Sequence, residues 1–199
     1  MPYTAAIAAI ILGYTWIAAP LVSVRGPWLV LPVVLVIALA IAHNRRTHDW
    51  GFNARAFWPA LAWSAILTAV FGGILWWAGR QFGPPPQRDA PLLDFLYVVV
   101  WGGAQQFILQ TVILHEARQK FRRVAVLVAA LIFAAFHLPN PFLAIVTFTG
   151  GLIWCWIYTR HPNIVPLALS HAAATIVILM SFPLHVTGAL RTGWRFFQP

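Results

Sequence analysis

Long apolar runs alternate with short polar segments along almost the whole chain. A helix that crosses the hydrocarbon core of a bilayer needs about 20 residues, and most of these runs approach that length. The pattern therefore predicts an all-α fold, a polytopic transmembrane helical bundle with seven spans, or six to eight once short and tilted helices are considered. The predicted spans are 4–22, 28–42, 57–79, 92–114, 124–138, 141–159 and 163–182.

The composition indicates the same environment. Hydrophobic residues make up 61% of the 199 residues and charged residues only 9%, whereas a soluble domain carries roughly a quarter charged residues. The net charge of +9 comes from basic residues in the short polar segments, where they orient the helices and contact anionic headgroups. We therefore expect an integral membrane protein whose partners include membrane lipids but no nucleic acid. The single cysteine, Cys155, excludes an internal disulfide and a cysteine-rich metal site.

The basic residues also predict an orientation. Eight of the 13 lie on one side of the predicted spans, within 45–55, 118–123 and at 160, and five lie on the other, at 25, 80, 88, 191 and 195. The side richer in arginine and lysine is normally cytoplasmic. We expect the N-terminus and the 115–123 segment in the cytoplasm, and a bacterial inner membrane as the location.

One membrane domain is expected over residues 1–199. The proline-rich segment GPPPQRDAP, residues 83–91, separates the N-terminal helices in 1–82 from a second group of helices in 92–182. The second group carries nearly all of the unusual polar residues, so it is the predicted functional core.

Three glutamines interrupt the fourth span. Burying an amide in lipid without a partner costs several kcal/mol, so such groups normally face the protein interior. Gln106 and Gln110 are four residues apart and share a helix face. Asp94, Gln105 and Glu116 recur every eleven residues, a spacing that returns to nearly the same face. The fourth span is therefore predicted to carry a polar stripe that continues to Glu116.

Two other spans each contribute a histidine. His137 lies four residues after Phe133, and His171 lies four residues before Thr175. We expect Gln106, His137 and His171 to converge in one intramembrane cavity. The alternative is that these residues are interhelical hydrogen-bonding groups worth about 1 kcal/mol each. A metal site needs at least three convergent ligands, and Glu116 could be the third only if its helix end bent inward, so no metal is predicted.

The order of three short segments identifies a resemblance. QQFILQ, then FAAFH, then HAAAT resembles the CPBP family, the CAAX-protease and bacteriocin-processing membrane proteins, also called Abi or type II CAAX prenyl endopeptidases. The family pattern is EExxxR, FxxxH and HxxxN or HxxxD on successive membrane helices. The linker HEARQKFRR and the segment GGLIWCWIYTRHPNIVPLALSH are similar to the family's connecting segments as well, so the resemblance covers residues 101–181.

The resemblance implies roles for individual residues. In the family, a glutamate and a histidine are thought to activate water against a peptide bond, while other polar residues hold the oxyanion. The catalytic motif positions here are His137, His171, Gln105 and Gln106. The predicted lining of a substrate cavity comprises Gln110, Phe133, Thr175 and Asn140.

The chain departs from this family pattern at four positions. Glutamine replaces both glutamates, Gln110 replaces the arginine, and Thr175 replaces asparagine or aspartate. An amide does not accept a proton at neutral pH, so a glutamine cannot be the general base. Changing the glutamates and the arginine together leaves a neutral network, without a buried unpaired guanidinium.

Three functions fit this sequence. The first is a CPBP-like peptidase with altered or lost activity, in which a histidine serves as the base. The second is a non-catalytic binding or assembly partner whose cavity holds an isoprenoid, a pigment, a prenylated or hydrophobic peptide, or a partner transmembrane protein. The third is a different lipid-phase enzyme that uses the two histidines and Glu116. None of the three implies a cofactor.

Overall fold

The computed structural model describes residues 1–22, 28, 30–86 and 91–198. For residues 91 and 92 it describes the backbone only. Two of the basic residues that predicted the orientation, Arg25 and Arg88, lie outside the described residues. The described part is helical and contains no β-strand, with Phe52 and Asn163 forming an isolated bridge. This confirms the all-α prediction. The helices are α1 (Pro2–Leu12), α2 (Val30–Thr47), α3 (Phe57–Gly79), α4 (Pro91–Ile108), α5 (His115–Phe121), α6 (Ala125–Ala135), α7 (Pro141–Arg160), α8 (Ile164–Ser181) and α9 (Leu184–Thr187).

Five helical stretches of the described chain are long and apolar enough to cross a membrane, fewer than the seven spans predicted. Pro2–Ala18 is apolar but shorter. The fourth and fifth predicted spans fall together in the 43-residue stretch Leu93–Ala135. This stretch is not straight, because Arg122 has a φ of 42° and α6 packs along α5. With 11 residues, α6 is only about 16 Å long, too short to cross a bilayer by itself. The five candidate spans are Val30–Thr47, Ala54–Gly79, Leu93–Ala135, Pro141–Arg160 and Ile164–Ser181.

A π-helical turn, Leu109–Leu114, joins α4 to α5. A π turn bonds residue i to i+5 and so holds one more residue than an α turn. That extra residue rotates the following helix by about 100°. The predicted polar stripe from Gln105 to Glu116 assumed an unbroken α-helix, which the π turn interrupts.

The chain divides into two compact units. The first comprises Met1–Trp50, Ile108–Leu152 and Leu190–Pro199. Its core is built from aliphatic side chains of α1, α2, α6 and the π turn, such as Ile7 and Ile113. Helices α6 and α7 approach closely at Gly151, where an added Cβ would lie 3.2 Å from the Cα of Ala130. The division predicted from the sequence, 1–82 and 92–182 within one domain, stays a prediction.

The second compact unit comprises Gly51–Phe107 and Ile153–Ala189. Helices α3 and α8 pack together through small residues. At Gly79 an added Cβ would lie 2.5 Å from the carbonyl oxygen of Ser181, so the backbones meet there. Asn163 begins α8: its Oδ1 accepts from Val165 N at 3.0 Å, and its Nδ2 donates to Asn53 O at 2.9 Å. The start of α8, the helix that carries His171, is thereby fixed.

Candidate functional site

Gln106 and His171 lie together, as the sequence predicts for these two residues. Gln106 of α4 is fully buried, and its Nε2 lies 3.4 Å from Nδ1 of His171 on α8. His171 is 8% exposed. An amide nitrogen only donates, so Nδ1 accepts and the imidazole proton is on Nε2. The pair carries no net charge in this form.

The imidazole of His171 is held by two residues that the sequence did not single out. Trp154 stacks on it with ring centroids 4.6 Å apart and planes inclined by 13°. Gly102 lies one helical turn before Gln106, and a Cβ there would be 3.2 Å from Cγ of His171. A side chain at residue 102 would therefore crowd the ring. The spacing Gly102–Gln106, which places both on one helix face, was the available sequence clue.

The other polar residues of these two motifs differ in their bonding. The Oε1 of Gln105 is buried and has no hydrogen-bond partner among the described residues. The Thr175 hydroxyl donates to the His171 carbonyl at 3.0 Å, within its own helix. Gln110 lies in the π turn and is 1% exposed. Within the described residues, Gln105 therefore offers a buried acceptor that no other group bonds.

His137 belongs to the first compact unit, just after α6. Its Nδ1 lies 2.8 Å from the carbonyl oxygen of Phe133, and the Phe133 ring meets the imidazole edge to face at 4.9 Å. A carbonyl oxygen only accepts, so Nδ1 carries the proton and Nε2 carries the lone pair. The predicted convergence of His137 with Gln106 and His171 stays a prediction.

Asn140 has a structural role. Its Oδ1 accepts from Leu143 N at 3.1 Å at the start of α7, and its Nδ2 donates to the Arg191 carbonyl at 3.1 Å. It is fully buried. The side chain predicted to line a cavity therefore caps a helix and holds the C-terminal segment.

Glu116 is bound to the first turn of α1. Its Oε2 accepts from the amide and the hydroxyl of Thr4 at 2.8 and 2.6 Å, and its Oε1 accepts from Tyr3 N at 3.2 Å. Helix N-termini favour carboxylates because their amides and dipole are positive. The described residues contain no group of three or more histidine, cysteine or carboxylate side chains able to hold a metal.

A second buried polar cluster lies in the same unit and was missed in the sequence. Asn44 Nδ2 donates to Thr111 Oγ1 at 2.8 Å, and Asn44 Oδ1 lies 3.0 Å from Nδ1 of His43. Asn44 and Thr111 are both fully buried. The dipeptide His43–Asn44 at the end of an apolar run was the available clue.

Comparison with known proteins identifies a family that part of this chain resembles. The family model for type II CAAX prenyl endopeptidases, described as Rce1-like, matches residues 87–177. No curated protein and no solved structure matches the chain. The matched stretch contains the Gln106–His171 pair and all three motif segments. Through these residues the chain is similar to the CPBP family of CAAX-protease-like membrane proteins, the resemblance that the order of its motifs predicted.

Proposed function

We propose that this protein has lost peptide hydrolysis and retains its site as a neutral binding site for a prenylated peptide. The observation that supports the proposal most strongly is the pair of Gln106 and His171. An amide occupies the position of the family's general base, is fully buried, and lies 3.4 Å from the motif histidine.

The chemistry of the amide excludes the usual first step at this position. A general base must lie within hydrogen-bond reach of the water it deprotonates and must accept the proton. A carboxylate meets both requirements, whereas Gln106 cannot hold a proton at neutral pH. Nδ1 of His171 cannot take up that proton either when it accepts from Gln106. The pair therefore does not generate hydroxide.

Ligand binding is supported by Gln105. A buried acceptor without a partner costs about 1–3 kcal/mol, and the Oε1 of Gln105 is such an atom among the described residues. A ligand with an N–H group would remove that cost by donating to it. The backbone amide of an extended peptide supplies this donor, and a prenyl group keeps such a peptide in the membrane.

The binding test compares two matched substitutions. A fluorescent farnesylated CAAX peptide is titrated into vesicles that contain the native protein, Gln105→Met or Gln81→Met. Methionine has nearly the shape of glutamine but no strong acceptor. We expect Gln105→Met to weaken binding about tenfold, which corresponds to the loss of one buried hydrogen bond. The exposed Gln81 should tolerate the change. Equal affinities of the native protein and Gln105→Met, or no preference for the farnesylated over the unmodified peptide, would refute the proposal.

A second function, an altered peptidase, is favoured by one observation at His137. Its Nδ1–H donates to the Phe133 carbonyl, an arrangement that leaves Nε2 as a proton acceptor. If the native protein hydrolyses the farnesylated peptide and His137→Gln abolishes that hydrolysis while binding persists, the altered peptidase replaces the binding protein as the function.

A further inference from the structure

Trp154 stacks on the motif histidine. The indole is 5% exposed and lies nearly parallel to the His171 ring, at 13° and 4.6 Å. We propose that Trp154 is a positioning residue that sets the plane of the His171 imidazole. This inference rests on the proposed function, in which the Gln106–His171 site binds the peptide.

The stack constrains the ring in a way that a long hydrogen bond does not. The Gln106–His171 distance of 3.4 Å is well beyond the usual 2.9–3.0 Å, so this bond holds the plane of the imidazole only loosely. The stacked indole covers a whole face of the ring, and Gly102 lets α4 approach its Cγ side. The stacked face therefore fixes the plane of the imidazole.

The indole is itself fixed by two hydroxyl groups. Its Nε1–H donates to Ser170 Oγ at 2.9 Å, and Ser170 Oγ lies 2.6 Å from Thr68 Oγ1 of α3. Ser170 is the chain neighbour of His171, so the same turn of α8 carries both the imidazole and the group that holds the indole. Trp154 is a donor only at Nε1, and this bond removes its freedom to slide over the ring.

A fixed imidazole has a consequence for affinity. A side chain that is already ordered loses little conformational entropy when it donates to a ligand, whereas a mobile one must be ordered during binding. A stacked aromatic pair is worth about 0.5–1.5 kcal/mol beyond its buried area. Losing the stack should therefore weaken peptide binding about three- to tenfold.

The experiment reads the ring directly. The protein has seven histidines, so ring-labelled histidine gives a proton and nitrogen NMR spectrum in which His171→Gln assigns the His171 signals. Spectra and farnesylated-peptide affinity are measured for the native protein, Trp154→Leu, Trp154→Phe and Ser170→Ala. Trp77→Leu is the control, since Trp77 is 64% exposed on α3.

Three results are expected. In Trp154→Leu the His171 ring protons lose the upfield shift of the stacked indole, and affinity falls about three- to tenfold. Trp154→Phe restores most of the shift and of the affinity, because a phenyl ring still stacks. Ser170→Ala moves the signals in the same direction by a smaller amount, and Trp77→Leu moves none of them.

The inference is overturned if Trp154→Phe and Ser170→Ala both leave the His171 signals as they are in the native protein, and Trp154→Leu either leaves them unchanged as well or fails to fold. It is also overturned if Trp77→Leu changes the His171 signals as much as Ser170→Ala does. The NMR readout needs no ligand. Ring signals that respond as expected without any peptide binding would therefore support the positioning role and refute only the proposed function.

Discussion

Replacing Glu116 by glutamine should loosen α1 from α5. The carboxylate is 5% exposed and accepts three hydrogen bonds from the first turn of α1. Glutamine has the same shape, but one of its two terminal atoms becomes an NH₂ group. If the amide oxygen faces Thr4, the NH₂ group faces the Tyr3 amide, and two donors then oppose each other.

The magnitude follows from these three bonds. A hydrogen bond to a charged group contributes about 1.5–3 kcal/mol, against about 1 kcal/mol for a neutral one. Glu116→Gln removes the Tyr3 bond and makes both Thr4 bonds neutral. The attraction between the carboxylate and the helix N-terminus, about 0.3–1 kcal/mol, is lost as well. The lower limits of these terms sum to about 3 kcal/mol, so we expect the free energy of unfolding to fall by at least about that amount.

Reversible chemical unfolding in mixed micelles measures this loss. Asp49→Asn is the matched control, because Asp49 is a carboxylate that is 31% exposed and lies 3.5 Å from His115. Surface pairs of this kind are worth less than about 1 kcal/mol. Thr4→Val removes one of the three bonds, and its effect should be smaller when Glu116 is already glutamine, because that bond is then a neutral one. If Glu116→Gln is no more destabilising than Asp49→Asn, the anchoring role of Glu116 is wrong.

Three other substitutions have definite expected outcomes. Gly102→Ala should lower stability by about 1–3 kcal/mol through crowding. Gly73→Ala is the control and should be neutral, because an added Cβ there meets nothing within 4 Å. Equal shifts in Tm for the two variants would contradict the close approach at residue 102. Asn140→Ala should lower the free energy of unfolding by about 1–2 kcal/mol, because a helix cap is lost, and it should speed proteolysis within 190–198. An unchanged cleavage rate would contradict the hydrogen bond from Asn140 to that segment. Gln106→Glu should lower the free energy of unfolding by a few kcal/mol, because it buries a carboxylate. Adding Gln105→Glu and Gln110→Arg should recover part of this loss. A triple variant with a lower Tm than the single one would refute the view that the glutamines are the neutral remnant of a charged network.

The helices and one contact of the site were predictable from the sequence. Apolar runs determine the helices because the bilayer leaves backbone groups no partner except one another. The same cost predicts that Gln106 and His171, polar residues within their spans, find each other. The structure places their side chains 3.4 Å apart.

The remaining features depend on contacts that no local pattern encodes. Glu116 is bonded to Thr4, which lies 112 residues earlier in the chain. The π turn at Leu109–Leu114 has ordinary helical composition, so a uniform 3.6-residue period was assumed across it. Trp154 was one of 11 tryptophans, a residue type usually assigned to the membrane interface. Its role became visible only through the ring it stacks upon.

The central claim is that an amide at the base position has ended hydrolysis while the binding site remains. The most direct test measures hydrolysis of the farnesylated CAAX peptide by the purified native protein in vesicles, at a peptide concentration that saturates binding. The predicted rate equals that of protein-free vesicles, with the peptide recovered intact. Hydrolysis above that background would contradict the claim if either Gln106→Ala or His171→Ala lowers it. Such a result would show that the site is still catalytic.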